Sequence, residues 1–214
     1  TFLGVRPARE YIFCVIASPV GPYFKGGAKA ITIWASQDYT RAALGGTGAA
    51  KCGGNYAASL IAQAQATEHG CDQVVFLDAR ENRWVEELGG MNVFFAFKDG
   101  TVITPPLQGT ILPGITRKSL LQMAADAGVP VTERAYSFED WQADAASGNL
   151  VEAFACGTAA VVAGIGKVRH GGGEFQIGDG QTGPLTTRLR TALVGLQRGQ
   201  TNDPYGWVHP VSGV

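Results

Sequence analysis

Short apolar segments, bounded by glycine, proline or charged residues, set the strongest limit on how this chain can fold. QVVFLDA, from residue 73, and NVFFAF, from residue 92, are apolar and rich in β-branched and aromatic residues, which is typical of buried strands. Segments with helical patterns separate several of these strands. We therefore expect a strand-rich, mixed α+β or α/β fold rather than a simple doubly wound sheet.

Further segments have the composition of strands. TVIT follows NVFFAF after the turn KDG, which predicts a hairpin, and GEFQIG resembles half of another hairpin. A loop with two prolines follows the first predicted strand, and we place a domain boundary in it near Gly26–Ala28. The predicted strands are residues 10–17, 31–36, 73–79, 83–90, 92–97, 101–104, 150–156 and 173–178.

Helices are predicted where apolar residues share one side of a helical turn and capping residues flank them. In the first helix Leu60, Ile61 and Ala64 share an apolar face, and His69 with Gly70 fits a C-terminal cap. The predicted helices are 57–70, a second within 112–128 with Thr116 as N-cap and Gly128 at its end, a third after Ser137 with capping-box spacing to Asp140, and a fourth from Pro184 to Leu196 closed by Gly199.

Composition and charge exclude several classes of function. The 214 residues carry a formal net charge of −1, with 17 basic and 18 acidic residues, so we predict neither a nucleic-acid nor a membrane surface. No apolar run approaches the ~20 residues of a transmembrane helix. Four isolated cysteines without a C-x-x-C pair, and three histidines, predict no metal site and a reduced, cytoplasmic protein.

The stretch GTGAAKCGGNY places one lysine, Lys51, among small residues, with Tyr56 five positions later. A desolvated lysine loses part of its preference for the charged form and becomes a nucleophile toward an aldehyde. Small neighbours leave room for a ligand built onto such a lysine. An ordinary exposed loop lysine is the alternative that the stretch alone leaves open.

Three further stretches have features of a site for an aromatic, phosphorylated cofactor. In EELGGMNVFF, Glu87 is either a charge at a turn or a carboxylate facing a protonated ring nitrogen, and Asn92 is expected to bond the backbone at the turn. LPGITRKS, from Leu112, places a glycine before a helix, whose free N–H groups suit a phosphate. CGTAA, from Cys156, offers N–H groups and a hydroxyl for a phosphate or a substrate carboxylate. An ordinary loop and a simple turn are the alternatives for these last two.

In this order and near this spacing, the stretches resemble the fold-type IV pyridoxal-phosphate enzymes, and most closely the branched-chain amino acid aminotransferases. The resemblance covers essentially the whole chain. It implies the large cofactor-binding domain of that fold over residues 26–214, a strand-rich pseudo-barrel with packed helices, preceded by the end of the small α+β domain in residues 1–25. The matching blocks are GTGAAKCGGNYAASL, EELGGMNVFF, TPPLQGTILPGITR and EAFACGTAA, with LGVRPAREY near the start and GLQRG near the end.

The resemblance implies pyridoxal 5′-phosphate as cofactor and gives each motif residue a role. Lys51 would hold the cofactor as a Schiff base and move the proton between the substrate Cα and the cofactor C4′. Tyr56 would bond the cofactor's phenolic oxygen, and Glu87 would pair with its ring nitrogen. The remaining implied roles are ring packing by Leu112, phosphate binding by Gly114, Ile115, Thr116 and Thr158, and substrate-carboxylate binding by the turn Gly157, Thr158, Ala159 and Ala160.

The reaction implied is transamination of leucine, isoleucine and valine with 2-oxoglutarate, in a homodimer or larger homo-oligomer. A D-amino acid aminotransferase or an aminodeoxychorismate lyase of the same fold would use the same lysine, glutamate and phosphate loop. The longer blocks K-x-G-G-N-Y and E-x-G-G-M-N-x-F favour the branched-chain group. An inert domain that no longer binds cofactor is the alternative that is not an enzyme.

One departure from the family concerns the N-terminal domain. Family members have such a domain, and it carries an arginine for the cofactor phosphate. Nothing in this chain matches that arginine, and the chain begins at Thr1 in sequence that is already typical of a structured region. We therefore expect the chain to be the large domain of a longer enzyme.

Overall fold

The computed structural model describes residues 3–19, 21, 23–24 and 29–211. In this part of the chain the strands form a mixed sheet with helices packed on it, which confirms the strand-rich α/β architecture. The strands are β1 (Ile31–Ser36), β2 (Gln73–Leu77), β3 (Val85–Leu88), β4 (Asn92–Phe97), β5 (Val102–Thr104), β6 (Val131–Glu133), β7 (Leu150–Gly157), β8 (Val161–His170) and β9 (Gly173–Gln176). The helices are α1 (Gly53–Glu68), α2 (Ile115–Asp126), α3 (Phe138–Ser147) and α4 (Pro184–Gln197).

The sheet contains both parallel and antiparallel pairs. Its strands follow the order β3-β2-β1-β8-β7-β4-β5-β6, and β9 pairs with β8. β1 is parallel to β2 and β8, β5 is parallel to β6, and the other pairs are antiparallel. The hairpins predicted around KDG and from GEFQIG are therefore both confirmed.

Strand β4 shows why the segment NVFFAF is apolar throughout. Val93, Phe95 and Phe97 lie in a core that also contains residues of α3, whereas Phe94 and Ala96 lie in a second core with residues of α2 and α4. Side chains alternate between the two faces of a strand, and here both faces are covered. Packing on both faces therefore fixes β4 within the sheet.

Helix α1 buries a face different from the one that we predicted. Leu60, Ile61 and Ala64 are exposed, and the helix begins at Gly53 rather than at Ala57. Small side chains face β1 and β2, which contribute large rings such as Trp34 to the contact. The size of the sheet residues, rather than the apolar residues of the helix, decides which face is buried. The buried residues of α1 are Asn55, Ser59, Ala62 and Ala66.

The predicted helix ends are confirmed except at the starts of α1 and α2. Ser137 Oγ accepts a hydrogen bond from the Asp140 N–H (3.0 Å), as the capping box requires. Glycines with positive φ follow α1, α2 and α4, at positions 70, 128 and 199, and His69 is the C-cap of α1. The prediction of Thr116 as an N-cap is wrong, because α2 begins at Ile115 and its N-cap is Gly114.

The strand predicted at residues 10–17 is wrong. These residues have no regular secondary structure, and the side chains of Tyr11, Phe13 and Ile16 are 81–91% exposed. Their composition favours a strand, but a strand also needs a neighbour for its N–H and C=O groups, and no described segment supplies one. The domain boundary predicted near Gly26–Ala28 lies outside the described residues.

Strands β6 and β8 were not predicted. β8 is central, but its glycines weaken the strand pattern. The structure explains both glycines by close packing, because a Cβ at Gly166 would overlap the Gly180 carbonyl and a Cβ at Gly164 would lie 2.8 Å from Thr182 Oγ1.

Three further findings concern the described residues. No helix among the described residues is long and apolar enough to cross a bilayer. In the same residues no three His, Cys, Asp or Glu side chains form a group that could hold a metal ion. All four cysteines are free thiols.

Glu152 on β7 is expected to contribute strongly to stability. Its buried carboxylate accepts hydrogen bonds from the N–H groups of Leu185 and Thr186 and from the Thr186 hydroxyl, at 2.7–2.9 Å, and so caps α4. Glu152→Ala should lower the free energy of unfolding by about 3 kcal/mol, since charge-assisted bonds and a cap are lost together. Urea unfolding measures this. The control Glu174→Ala, which removes only partly exposed ion pairs, should lower the free energy of unfolding much less, and equal losses would contradict the capping role.

Candidate active site

Lys51 and Tyr56 lie at the start of α1. Lys51 immediately precedes the N-cap residue Cys52, and its Nζ lies 3.3 Å from the Tyr56 hydroxyl. Both side chains are exposed. We expected a desolvated lysine amine, but the described residues do not shield it from solvent. The pair instead presents an amine and a phenol to solvent at a fixed separation.

Asn55 shapes the loop that carries Lys51. Its Nδ2 donates to the carbonyls of Thr47 and Ala50, both at 2.8 Å, and its Oδ1 accepts from the Thr47 hydroxyl at 2.7 Å. These three bonds tie the loop before Lys51 to the first turn of α1. The block K-x-G-G-N-Y contains this asparagine, but the pattern alone predicted no role for it.

Glu87 lies on β3 and meets two other segments. Its Oε1 is 2.6 Å from Arg41 Nη2 and accepts the Leu112 N–H at 3.0 Å. Asn92 Nδ2 donates to the Leu112 carbonyl at 2.9 Å and lies 3.4 Å from Glu87 Oε2. Asn92 therefore bonds the backbone, as predicted, but across the site rather than at its own turn.

Arg41 is a residue of the site that no sequence pattern predicted. It is 7% exposed, and its guanidinium also donates to the carbonyls of Gly48, at 3.2 Å, and Thr110. It belongs to an irregular segment far from Glu87 in sequence, so no spacing pattern connects the two. Only the folded chain brings them together.

Opposing influences act on the pKa of the Glu87 carboxyl. Burial raises the pKa of its carboxyl to about 7, while the Arg41 guanidinium, the Leu112 N–H and the Lys51 amine act in the opposite direction. The neighbouring carboxylate of Glu86 adds to the rise. Glu87 can therefore change its protonation state near neutral pH.

Glu86 points away from Glu87, as strand alternation predicts. Its Oε1 accepts the Thr110 hydroxyl at 2.5 Å, and it lines a separate cavity of about 520 Å³ with residues such as Trp84 and Pro105. Burial raises the pKa of the Glu86 carboxyl too. Lys51 and Tyr56 do not line this larger cavity.

Four of the predicted site residues line one cleft: Lys51, Tyr56, Glu87 and Leu112. Gly89 and Gly90, in the turn between β3 and β4, also line it, together with Arg41 and Asn55. The cleft encloses only about 10 Å³, which is a small volume beside that of the neighbouring cavity.

The start of α2 lies beside this cleft. No side chain caps the helix at Gly114, so the N–H groups of Ile115 and Thr116 in its first turn are not occupied by a cap. A Cβ on Gly114 would overlap Asn92 Oδ1, which shows how closely the loop approaches β4. This close approach explains why glycine precedes the helix.

The turn between β7 and β8 lies at the edge of the same region. A Cβ on Gly157 would lie 3.2 Å from the Met91 side chain and 3.5 Å from the Gly90 carbonyl, so this residue adjoins the β3–β4 turn. Thr158 and Ala159 are exposed, whereas Ala160 is buried and its carbonyl accepts from Arg190 at 3.1 Å. None of the four predicted substrate-binding residues lines the Lys51 cleft itself.

Comparisons with known proteins identify the family of this chain. The family model "Amino-transferase class IV" matches residues 6–168. The chain belongs to the class IV aminotransferases. A branched-chain-amino-acid aminotransferase of Mycobacterium tuberculosis is 57% identical over 96% of this chain, and a probable one of Streptomyces coelicolor is 54% identical over 98%. This class IV chain spans 57–58% of the length of these two relatives.

Similarity to solved structures indicates the same family. The crystal structure of the Escherichia coli branched-chain amino acid aminotransferase has a TM-score of 0.75 and 35% identity, over 89% of this chain and 59% of the other. The branched-chain aminotransferase from the archaeon Thermoproteus uzoniensis, solved with norvaline, has a TM-score of 0.70 and 28% identity, over 86% and 56%. The class IV fold of the chain is thus supported by sequence and by structure.

The raised pKa of Glu87 predicts how stability depends on pH. A carboxyl whose pKa is higher in the folded state stabilises the fold most at low pH, and this contribution is lost as pH rises through the folded pKa of about 7. Between about pH 5 and 8, wild type should lose more free energy of unfolding than Glu87→Gln. Urea unfolding at several pH values measures the difference. Glu139→Gln, at the surface, serves as control, and equal slopes for wild type and Glu87→Gln would contradict the assignment.

Proposed function

We propose that this chain is the cofactor-binding part of a pyridoxal-phosphate-dependent aminotransferase acting on leucine, isoleucine and valine with 2-oxoglutarate. One observation carries the proposal: a lysine amine and a tyrosine hydroxyl at the start of α1 meet a buried carboxylate from β3 at one cleft. The names of the relatives at 54–57% identity support the substrate class.

The residues present fit pyridoxal phosphate by their chemistry. The exposed amine of Lys51 can react with an aldehyde, and the Tyr56 hydroxyl at 3.3 Å can donate to a phenolic oxygen. Glu87 supplies a carboxylate for a protonated ring nitrogen, and Leu112 supplies an apolar wall. When bound, the cofactor supplies an electron-withdrawing ring that stabilises negative charge at the substrate Cα.

Lys51 is proposed to act as the acid and base. Its Nζ would take the proton from the substrate Cα and pass it to the cofactor C4′, and it would move a proton in the opposite direction in the second half of the reaction. Tyr56 would orient this amine from its hydroxyl at 3.3 Å. Glu87, held by Arg41 and the Leu112 N–H, would keep a proton on the ring nitrogen.

Anionic groups are proposed to bind at the two neighbouring backbone sites. The N–H groups of Ile115 and Thr116, which follow Gly114, would bind a phosphate, because helix N-termini favour anions. Thr158 would add its hydroxyl to that phosphate. The turn of Gly157, Thr158, Ala159 and Ala160 would bind the substrate carboxylate through main-chain N–H groups.

The assembly and the location are proposed from the family resemblance and the cysteines. We propose a homodimer or larger homo-oligomer in the cytoplasm, and the free thiols fit a reducing compartment. Residues 1–25 are proposed as the end of a small domain and residues 26–214 as the large domain.

A screen of amino donors separates the alternatives. With 2-oxoglutarate as acceptor, L-leucine, L-isoleucine and L-valine should be used in preference to D-alanine, and aminodeoxychorismate should not be cleaved. Preferential use of D-amino acids, or cleavage of aminodeoxychorismate, would assign the chain to another activity of the same fold. If added pyridoxal phosphate gives the protein no absorption band in the near-ultraviolet to visible range, the inert-domain alternative is correct.

Lys51→Ala should abolish the covalent attachment of cofactor. Wild-type protein treated with pyridoxal phosphate and then borohydride should carry the label on the peptide that contains Lys51, because reduction makes the amine–aldehyde link permanent. Mass spectrometry of the digested protein locates the label. The control Lys98→Ala, at the exposed β4–β5 turn, should be labelled like wild type. Stoichiometric labelling of Lys51→Ala would show that another lysine is the site.

A further inference from the structure

Arg41 occupies the centre of the contacts that fix Glu87. Its Nη2 lies 2.6 Å from Glu87 Oε1 and donates to the carbonyls of Gly48 and Thr110. Gly48 belongs to the loop that leads to Lys51, and Thr110 belongs to the segment that leads to Leu112. One guanidinium therefore joins the three segments that line the cleft.

The close approach of these segments shows that the arrangement is tightly constrained. A Cβ on Gly48 would overlap the backbone of Thr110, so the two loops are in direct contact beside Arg41. The side chains of Arg41 and Glu87 are only 5% and 3% exposed. Both charged groups are therefore almost completely withdrawn from solvent.

The charged and titratable groups around Glu87 make Arg41 its main counter-charge. Lys51 and Tyr56 line the same cleft but are exposed to solvent, and Glu86 on the same strand is a like charge. Cys156 on β7 also interacts electrostatically with Glu87, and burial raises the pKa of its thiol, which keeps it neutral. Without Arg41, burial would favour a neutral Glu87.

We propose that Arg41 is a positioning residue of this site, which keeps the Glu87 carboxylate ionised and directed toward the cleft. The inference rests on the proposed function, because an ionised Glu87 serves to hold a proton on the cofactor's ring nitrogen. A neutral Glu87 would offer a hydroxyl donor instead, and it would favour the unprotonated ring, which withdraws electrons less strongly.

The direct test is the titration of Glu87 in protein without cofactor. Protein with ¹³C at the glutamate δ carbon is titrated by NMR, and the Glu87 signal is assigned by its loss in Glu87→Gln. In Arg41→Met the midpoint should rise by about 1 to 3 pH units, because an opposite charge at this distance is removed. In Arg41→Lys, which keeps the charge but loses the planar fork, the rise should be smaller.

Arg117→Met is the matched control. Arg117 is 3% exposed and bonds the Pro105 carbonyl and Glu133, so its loss also removes a buried guanidinium. In Arg117→Met the midpoint of the Glu87 titration should equal that of wild type. An unchanged midpoint in folded Arg41→Met, or an equal shift in Arg117→Met, would overturn the proposal. If Arg41→Met does not fold, Arg41→Lys decides, and failure of both to fold would make Arg41 structural and overturn the proposal as well.

A second readout connects Arg41 to the cofactor. At about pH 8, Arg41→Met should bind pyridoxal phosphate about tenfold more weakly than wild type, since one pKa unit corresponds to a factor of ten. Fluorescence titration with pyridoxal phosphate measures the affinity, and affinity equal to wild type would overturn the proposal. If wild type itself does not bind pyridoxal phosphate, the proposed function fails, and the titration of the empty protein still decides how Arg41 acts on Glu87.

Discussion

The buried ion pair between Arg41 and Glu87 is the interaction on which the candidate site depends. Burial alone would neutralise Glu87, and a buried charged pair needs further hydrogen bonds to offset the loss of hydration, although Arg41 Nε has no partner among the described residues. The Leu112 N–H bonds the carboxylate, and the carbonyls of Gly48 and Thr110 bond the guanidinium. The pair therefore also fixes the loops that carry Lys51 and Leu112. A single electrostatic contact determines both the charge and the shape of the cleft.

The fold supplies rigid support for this contact. β4 and β7 are covered on both faces, and the turn between β3 and β4 is fixed where Asn92 bonds the Leu112 carbonyl. Side-chain alternation along β3 directs Glu87 to the cleft and Glu86 to the separate cavity. On the other side, Asn55 fixes the loop before Lys51 to the start of α1. The loops around the cleft are thus held in place by hydrogen bonds from asparagine side chains to their backbone carbonyls.

Local sequence signals predicted the elements that depend on local physics. Most apolar strands, the hairpin turns and most helix ends were correct, because a strand pattern, a capping serine or a glycine after a helix acts within a few residues. The exception among the apolar strands is residues 10–17, which have no neighbouring strand among the described residues. Features set by packing against distant segments were not predictable in this way. The small residues of α1 pack against large rings of the sheet, which leaves its apolar face exposed. Strand β8 was not predicted because it contains glycines, which the structure explains by close contacts with Gly180 and Thr182. The motif resemblance predicted that Lys51, Tyr56, Glu87 and Leu112 belong to one site. No local sequence pattern indicates Arg41.

The most direct test of the central role of this ion pair is a double-mutant cycle, read by urea unfolding at about pH 8. The single variants are Arg41→Met and Glu87→Gln, and the third variant carries both substitutions. Each single change leaves a buried polar partner unsatisfied, so the double variant should lose at least about 1 kcal/mol less free energy of unfolding than the sum of the single losses. Losses that add to within about 0.5 kcal/mol would show that the two side chains act independently, which would contradict the central role of the pair.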